Sequence, residues 1–284
     1  DLFSPEEPLI ISSLQLTAHA LKEVQLSNSE FHWKDRLFRL QGSFRPGGDR
    51  PGKMNLTLTS KTLTWDWVRT QFQALKDHLS TNSDSSLFSH WQGTITAMVD
   101  DFTFKDRRIS PLHLSWEIAA SQPWTIHIHQ KTALCALSLP GRIHISPKPL
   151  EFTLAPSGTG LDAGRTLSCL TGKEDKITGT LDLKGHLTGS GQDQQDLVSN
   201  LGGELNFTIS QGRLLKFTLL AKLLEVINST EIFFGSVPDL EDEGIRFSQM
   251  KGRALFNGHR VHIAQGLVDG QSLEMGFTGD LDLS

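Results

Sequence analysis

The feature that most constrains this chain is an alternation of apolar and polar residues with a period of two, which recurs from one end to the other. Successive side chains of an extended strand point to opposite faces, so the pattern describes strands buried on one side only. Leu14-Gln15-Leu16, Met54-Asn55-Leu56-Thr57-Leu58, Ile126-His127-Ile128-His129 and Ile143-His144-Ile145 carry it in the first half. It sharpens later, in Leu181-Asp182-Leu183, Leu205-Asn206-Phe207-Thr208-Ile209, Val261-His262-Ile263 and the run from Leu273 to Leu283. Gly202-Gly203, Asn257-Gly258 and Asp269-Gly270 separate several of these runs, and Asn-Gly and Asp-Gly accept the positive φ of a tight hairpin. The expectation is a mainly β fold: a long curved antiparallel sheet, an open β-roll or groove, whose last third is a meander.

Two stretches change period. Near residues 64–79, Val68, Phe72, Leu75 and Leu79 form a helical stripe, with Thr64 as N-cap and Asp66 at the positive end of the helix dipole. Near residues 214–227, Leu215, Leu219, Leu220, Leu223, Leu224 and Ile227 form a broader one. Both read as short packing or capping helices, and no apolar run reaches the roughly 18 residues of a membrane span. Ser146-Pro147-Lys148-Pro149 suggests a division into a β-rich region over 1–147 and a meander over 148–284, with one continuous sheet as the alternative. The segment Gly189–Asp196 is also linker-like.

The chain's 284 residues, 37% of them hydrophobic, suffice for a real core. A net charge of −5 argues against nucleic acid, and the nearest basic cluster, Lys105, Arg107 and Arg108, reads as a hairpin tip. His127, His129 and His144 alternate with isoleucines, so two or three of them could share a polar sheet face, but no adjacent carboxylate or cysteine completes a metal set. The acidic run Asp239–Glu243 lacks the spacing of a calcium loop. There is no G-x-S-x-G nucleophile turn and no phosphate-cradling glycine loop. The reading is therefore non-enzymatic, without cofactor or metal. Cys135 and Cys169 form either a disulfide or two buried thiols, and the sequence leaves both open.

From about Thr166 onward an ordered pattern runs through Ile177-Thr178-Gly179-Thr180-Leu181-Asp182-Leu183-Lys184-Gly185, Leu201-Gly202-Gly203-Glu204-Leu205-Asn206-Phe207 and Gly212-Arg213. It continues with the apolar stretch Leu219–Asn228, then Val237-Pro238-Asp239-Leu240, Gly244-Ile245-Arg246-Phe247, Asn257-Gly258, Asp269–Met275 and Gly279-Asp280-Leu281-Asp282-Leu283. This order resembles the C-terminal region of the AsmA-like proteins, within the AsmA/TamB superfamily of Gram-negative envelope proteins. The resemblance covers a little over a third of the chain.

It implies a periplasmic sheet belonging to a parent protein anchored in the inner membrane, with a groove for phospholipid or another lipid that serves outer-membrane biogenesis. In that reading Leu205, Phe207, Ile209, Leu273, Met275 and Phe277 line the groove or a core. The alternative is a structural or assembly module of the envelope, whose open strand edge binds a protein partner.

Overall fold

The computed structural model describes residues 9–19, 23–47, 51–71, 91–104, 107–118, 125–144, 149–172, 177–192, 194–214, 244–270 and 274–282. The fold is mainly β, with a mixed sheet and, among the described residues, three helices. The chain forms two compact units, one of residues 1–134 and 140–147, the other of 135–139 and 148–284.

In the first unit β1 (Leu9–Ser13) and β2 (Leu16–His19) follow one another along β3 (Glu23–Trp33), which pairs with β4 (Arg36–Arg45) and through it with β5 (Gly52–Thr64). These pairings are antiparallel. At the end of β5 the chain enters helix α1, described over residues 65–71. Trp67 N–H donates to Thr64 Oγ1 at 3.3 Å, so Thr64 caps this helix.

The next strand, β6 (Trp91–Phe104), runs parallel to β5 over nearly its whole length. This corrects the all-antiparallel expectation. Parallel neighbours need a crossover rather than a hairpin, and α1 lies in that connection. Alternation reports which face a residue occupies and carries no information on strand direction.

Beyond β6 come β7 (Arg107–Ile109), β8 (Leu112–Ile118) and β9 (Thr125–Ile128), with β10 (Ala133–Leu134) against β7. β11 (Leu137–Ser138) belongs to the second unit, and β12 (Gly141–His144) pairs with β9. The core of this unit gathers Phe38, Leu63, Val99 and Phe102, with Phe31, Trp33, Trp67 and Val68 against them. Trp67 of α1 meets Trp33 edge-on at 5.4 Å and Phe38 at 5.6 Å between ring centroids, which seats the helix on one end of the sheet.

In the second unit β13 (Leu150–Leu154) and β14 (Ser157–Asp162) both lie along β15 (Ile177–Gly191), and β11 pairs with β14. Between β14 and β15 stands α2 (Ala163–Thr171). The Asp162 carboxylate accepts from Arg165 N–H at 2.9 Å at its start, and Gly172, at φ 71°, closes it by donating to the Ser168 carbonyl at 2.8 Å. After β15 comes the short α3 (Gln194–Ser199). Then β16 (Gly202–Leu214), β17 (Ile245–Asn257), β18 (Arg260–Asp269) and β19 (Glu274–Asp282) form an antiparallel meander.

Several expectations change here. Leu214 ends β16 instead of opening a helix, and the rest of the stretch near 214–227 lies outside the described residues. The stretch near 64–79 is described as far as residue 71. α2 and α3 bring the helices beyond the expected two, and their lengths of nine and six residues are too short for a clear 3.6-residue period. Gly189–Asp196 is no linker, since β15 runs to Gly191 and α3 begins at Gln194. Gly202 and Gly203 are paired residues inside β16, not a turn. At the Asn257-Gly258 hairpin, Asn257 pairs with Arg260, so the two loop residues are Gly258 and His259.

Candidate apolar binding faces

The second unit places Leu205, Phe207 and Ile209 on one face of β16 and Met275 and Phe277 on the same face of β19. Strand registers establish this row by row. Leu181, Ile209, Met250, Val268 and Met275 are successive partners across β15 to β19. Leu183, Phe207, Gly252, Gly266 and Phe277 make the next row, and Gly185, Leu205, Ala254, Ile263 and Gly279 the third. Leu273 lies outside the described residues.

The glycines in these rows have a packing role. A Cβ on Gly252 would lie 2.6 Å from the Phe207 ring, and one on Gly266 would lie 2.4 Å from the Phe277 ring. Each phenyl therefore lies across the neighbouring strand and fills the space its glycine leaves. Ile209 and Phe277 are buried in a cluster with Ala163 of α2, Leu181, Met250 and Val268, so they are core residues. Leu205, Phe207 and Met275 stay half-buried.

The reverse face is polar. Arg253 Nε donates to Glu204 Oε2 at 3.0 Å, and His262 Nδ1 sits 3.0 Å from Asp280 Oδ1.

In the first unit a second apolar face spans more strands, and sequence reasoning did not single it out. Leu40, Leu58, Ala97, Leu114 and Ile128 are successive partners from β4 to β9. Leu56, Ile95, Trp116, Ile126 and Ile143 form the adjacent row from β5 to β12. All ten are half-buried, and none is titratable. The signal was present in Met54–Leu58 and Ile126–Ile128, but only the register of β6 and β8 shows that these runs share one face.

The opposite face of that sheet holds a shallow depression of about 600 Å³, whose lining includes Gln25, Gln41, Ser43, Asn55, Thr57, Thr94 and Thr96. In the second unit a depression of about 480 Å³ is lined by Thr178, Gln211, Gly212, Arg213, Arg246 and Phe247. Neither of these two depressions is an enclosed apolar chamber.

His127, His129 and His144 lie on one polar face. His129 Nε2 is 2.9 Å from Ser115 Oγ, His144 Nδ1 is 3.0 Å from Thr125 Oγ1, and His127 Nε2 is 3.3 Å from Glu117 Oε1. Among the described residues no three histidine, cysteine or acidic side chains are placed to hold a metal ion. Desolvation lowers the His113 pKa below its ordinary 6.5, with Lys131 and His129 adding to the effect. At the expected basic hairpin tip, Arg108 Nε donates to Asp101 Oδ1 at 2.6 Å, and this bond holds the Asp101 carboxyl below its usual range.

Cys135 and Cys169 are joined by a disulfide, which ties the segment 135–139 to α2.

No family model, no curated protein and no solved structure matches this chain.

Proposed function

We propose that the chain is a non-enzymatic, AsmA-like domain of the Gram-negative cell envelope that binds or conducts lipid in the periplasm during outer-membrane biogenesis. The observation that carries this reading is the face of Leu40, Leu58, Ala97, Leu114 and Ile128 with Leu56, Ile95, Trp116, Ile126 and Ile143, which offers a continuous apolar track without a titratable group. Such a track favours acyl chains over polar ligands, because each methylene sheltered on it contributes roughly 0.8 kcal/mol. A bound lipid would then need no dedicated polar pocket for its tail, and its headgroup would remain at the water-facing margin.

The test is native mass spectrometry with lipid extraction on the chain purified from a Gram-negative periplasm. Stoichiometric phospholipid that is lost in Leu58→Asp or Ile126→Asp, with the β-sheet signal in circular dichroism retained, supports lipid carriage. Lipid-free protein recovered under gentle conditions sinks it and favours the envelope assembly module.

A further inference from the structure

Cys135 and Ala136 make the two-residue turn between β10 and β11, and both are left-handed, at φ 52° and 67°. Tight turns with two positive φ angles are ordinarily built from Asn-Gly or Asp-Gly, because glycine has no Cβ to crowd the following carbonyl oxygen. The second unit follows that rule at its Asn257-Gly258 hairpin, where Gly258 has φ 60°. Cys135-Ala136 departs from it twice in succession. A residue with a Cβ is disfavoured in this region by roughly five- to thirtyfold, and it persists there only where its surroundings impose the conformation.

The Cys135–Cys169 disulfide imposes it. Cys169 stands in the last turn of α2, a helix fixed by its own means: Asp162 and Gly172 cap it, and Ala163 is fully buried in the core of the second unit. Directly after the turn, β11 pairs Ser138 with Ser157 and buries Leu137 beside Gly158. Ala136 itself is exposed, and both cysteines are half-buried. The strained turn therefore stands at the surface, where a thiol can approach it.

We infer that this disulfide is a redox latch. Oxidised, it holds Cys135 and Ala136 in the left-handed turn against α2; reduced, it lets the turn relax and frees the segment 135–139 from that helix. The reaction is thiol–disulfide exchange with a dithiol. One thiolate of the dithiol attacks a protein sulfur, forming a mixed disulfide and expelling the other cysteine as a thiolate, which takes up a proton. The second thiol of the dithiol then displaces the first cysteine, so the protein gains two electrons and two protons and the dithiol leaves as a disulfide. Relaxation of the turn is open only to the reduced chain, so backbone strain is linked to the redox equilibrium and favours the thiol form. The latch lies within the second unit and is independent of lipid binding on the apolar face of the first.

Thiol trapping with mass spectrometry, on the 284-residue chain equilibrated in mixtures of oxidised and reduced dithiothreitol, measures that linkage. Ala136→Gly removes the Cβ from an exposed left-handed position and should shift the equilibrium toward the disulfide by about fivefold. Ala136→Val, whose branched side chain tolerates this region poorly, should shift it several-fold toward the thiols. Backbone NMR shifts of Ala136 should report a left-handed residue in the oxidised chain and an extended or averaged one after reduction. Cys135→Ser with Cys169→Ser should reproduce the reduced pattern without reductant. Equal redox equilibria for wild type and both Ala136 variants, or an Ala136 that stays left-handed after reduction, would overturn the inference.

Discussion

Removing the Cys135–Cys169 disulfide should destabilise the second unit by about 4 kcal/mol. The cross-link closes a sequence separation of 34 residues, and the chain-entropy relation then gives an unfolded-state restriction of roughly 13 cal/mol/K, or about 4 kcal/mol near room temperature. β11 contributes a single registered pair, Ser138 with Ser157, and Leu137 is the one buried side chain in the segment. Cys135→Ser with Cys169→Ser should therefore lower the guanidinium midpoint of that unit's transition by about 1 M, taking a slope near 4 kcal/mol/M. The thermal midpoint should fall by about 10 °C. Wild type in excess reductant should reproduce the variant. Equal midpoints for oxidised, reduced and double-serine protein would refute the reasoning, because the entropy term does not depend on how well the bond packs.

Leu181, fully buried between Leu161 and Ile209, should cost about 2–5 kcal/mol when changed to Ala, measured by denaturant unfolding. Gly266→Ala should destabilise by about 1–3 kcal/mol, because its Cβ would enter the space of the Phe277 ring, whereas Gly160→Ala is a poor comparison since its φ of 67° adds backbone strain. His113 has a folded pKa below its ordinary 6.5, so the folded state binds the proton less tightly than the unfolded chain does. Its contribution is intact above about pH 6.5 and is lost as pH falls toward the depressed value; His113→Gln should flatten that part of the stability–pH curve.

The strands were legible because burial on one side writes itself as alternation. Leu205–Ile209 and Val261–Ile263 lie within β16 and β18, and the run from Leu273 matches β19 from Glu274 onward. Pairing was less legible. Thr94-Ile95-Thr96-Ala97 alternates whether β6 runs parallel or antiparallel to β5, and only the crossover through α1 decides. Glycine misled in both directions: Gly203 lies within a strand, and Gly252 and Gly266 make room for Phe207 and Phe277. The disulfide joins residues whose separation in sequence says nothing of their approach, and the exposure of Leu14 and Leu16 was hidden because Leu14-Gln15-Leu16 reads like any half-buried strand.

The proposal that the apolar face of the first unit binds lipid is tested most directly by photo-crosslinking in the periplasm of living Gram-negative cells. A photoreactive residue at Ile126 samples the apolar face, and one at His127 samples the opposite face of the same strand, β9. The account predicts phospholipid adducts at Ile126, and likewise at Leu58, with none at His127 or Thr57. Adducts on both faces alike, or on neither while protein adducts form at Ile126, would contradict it.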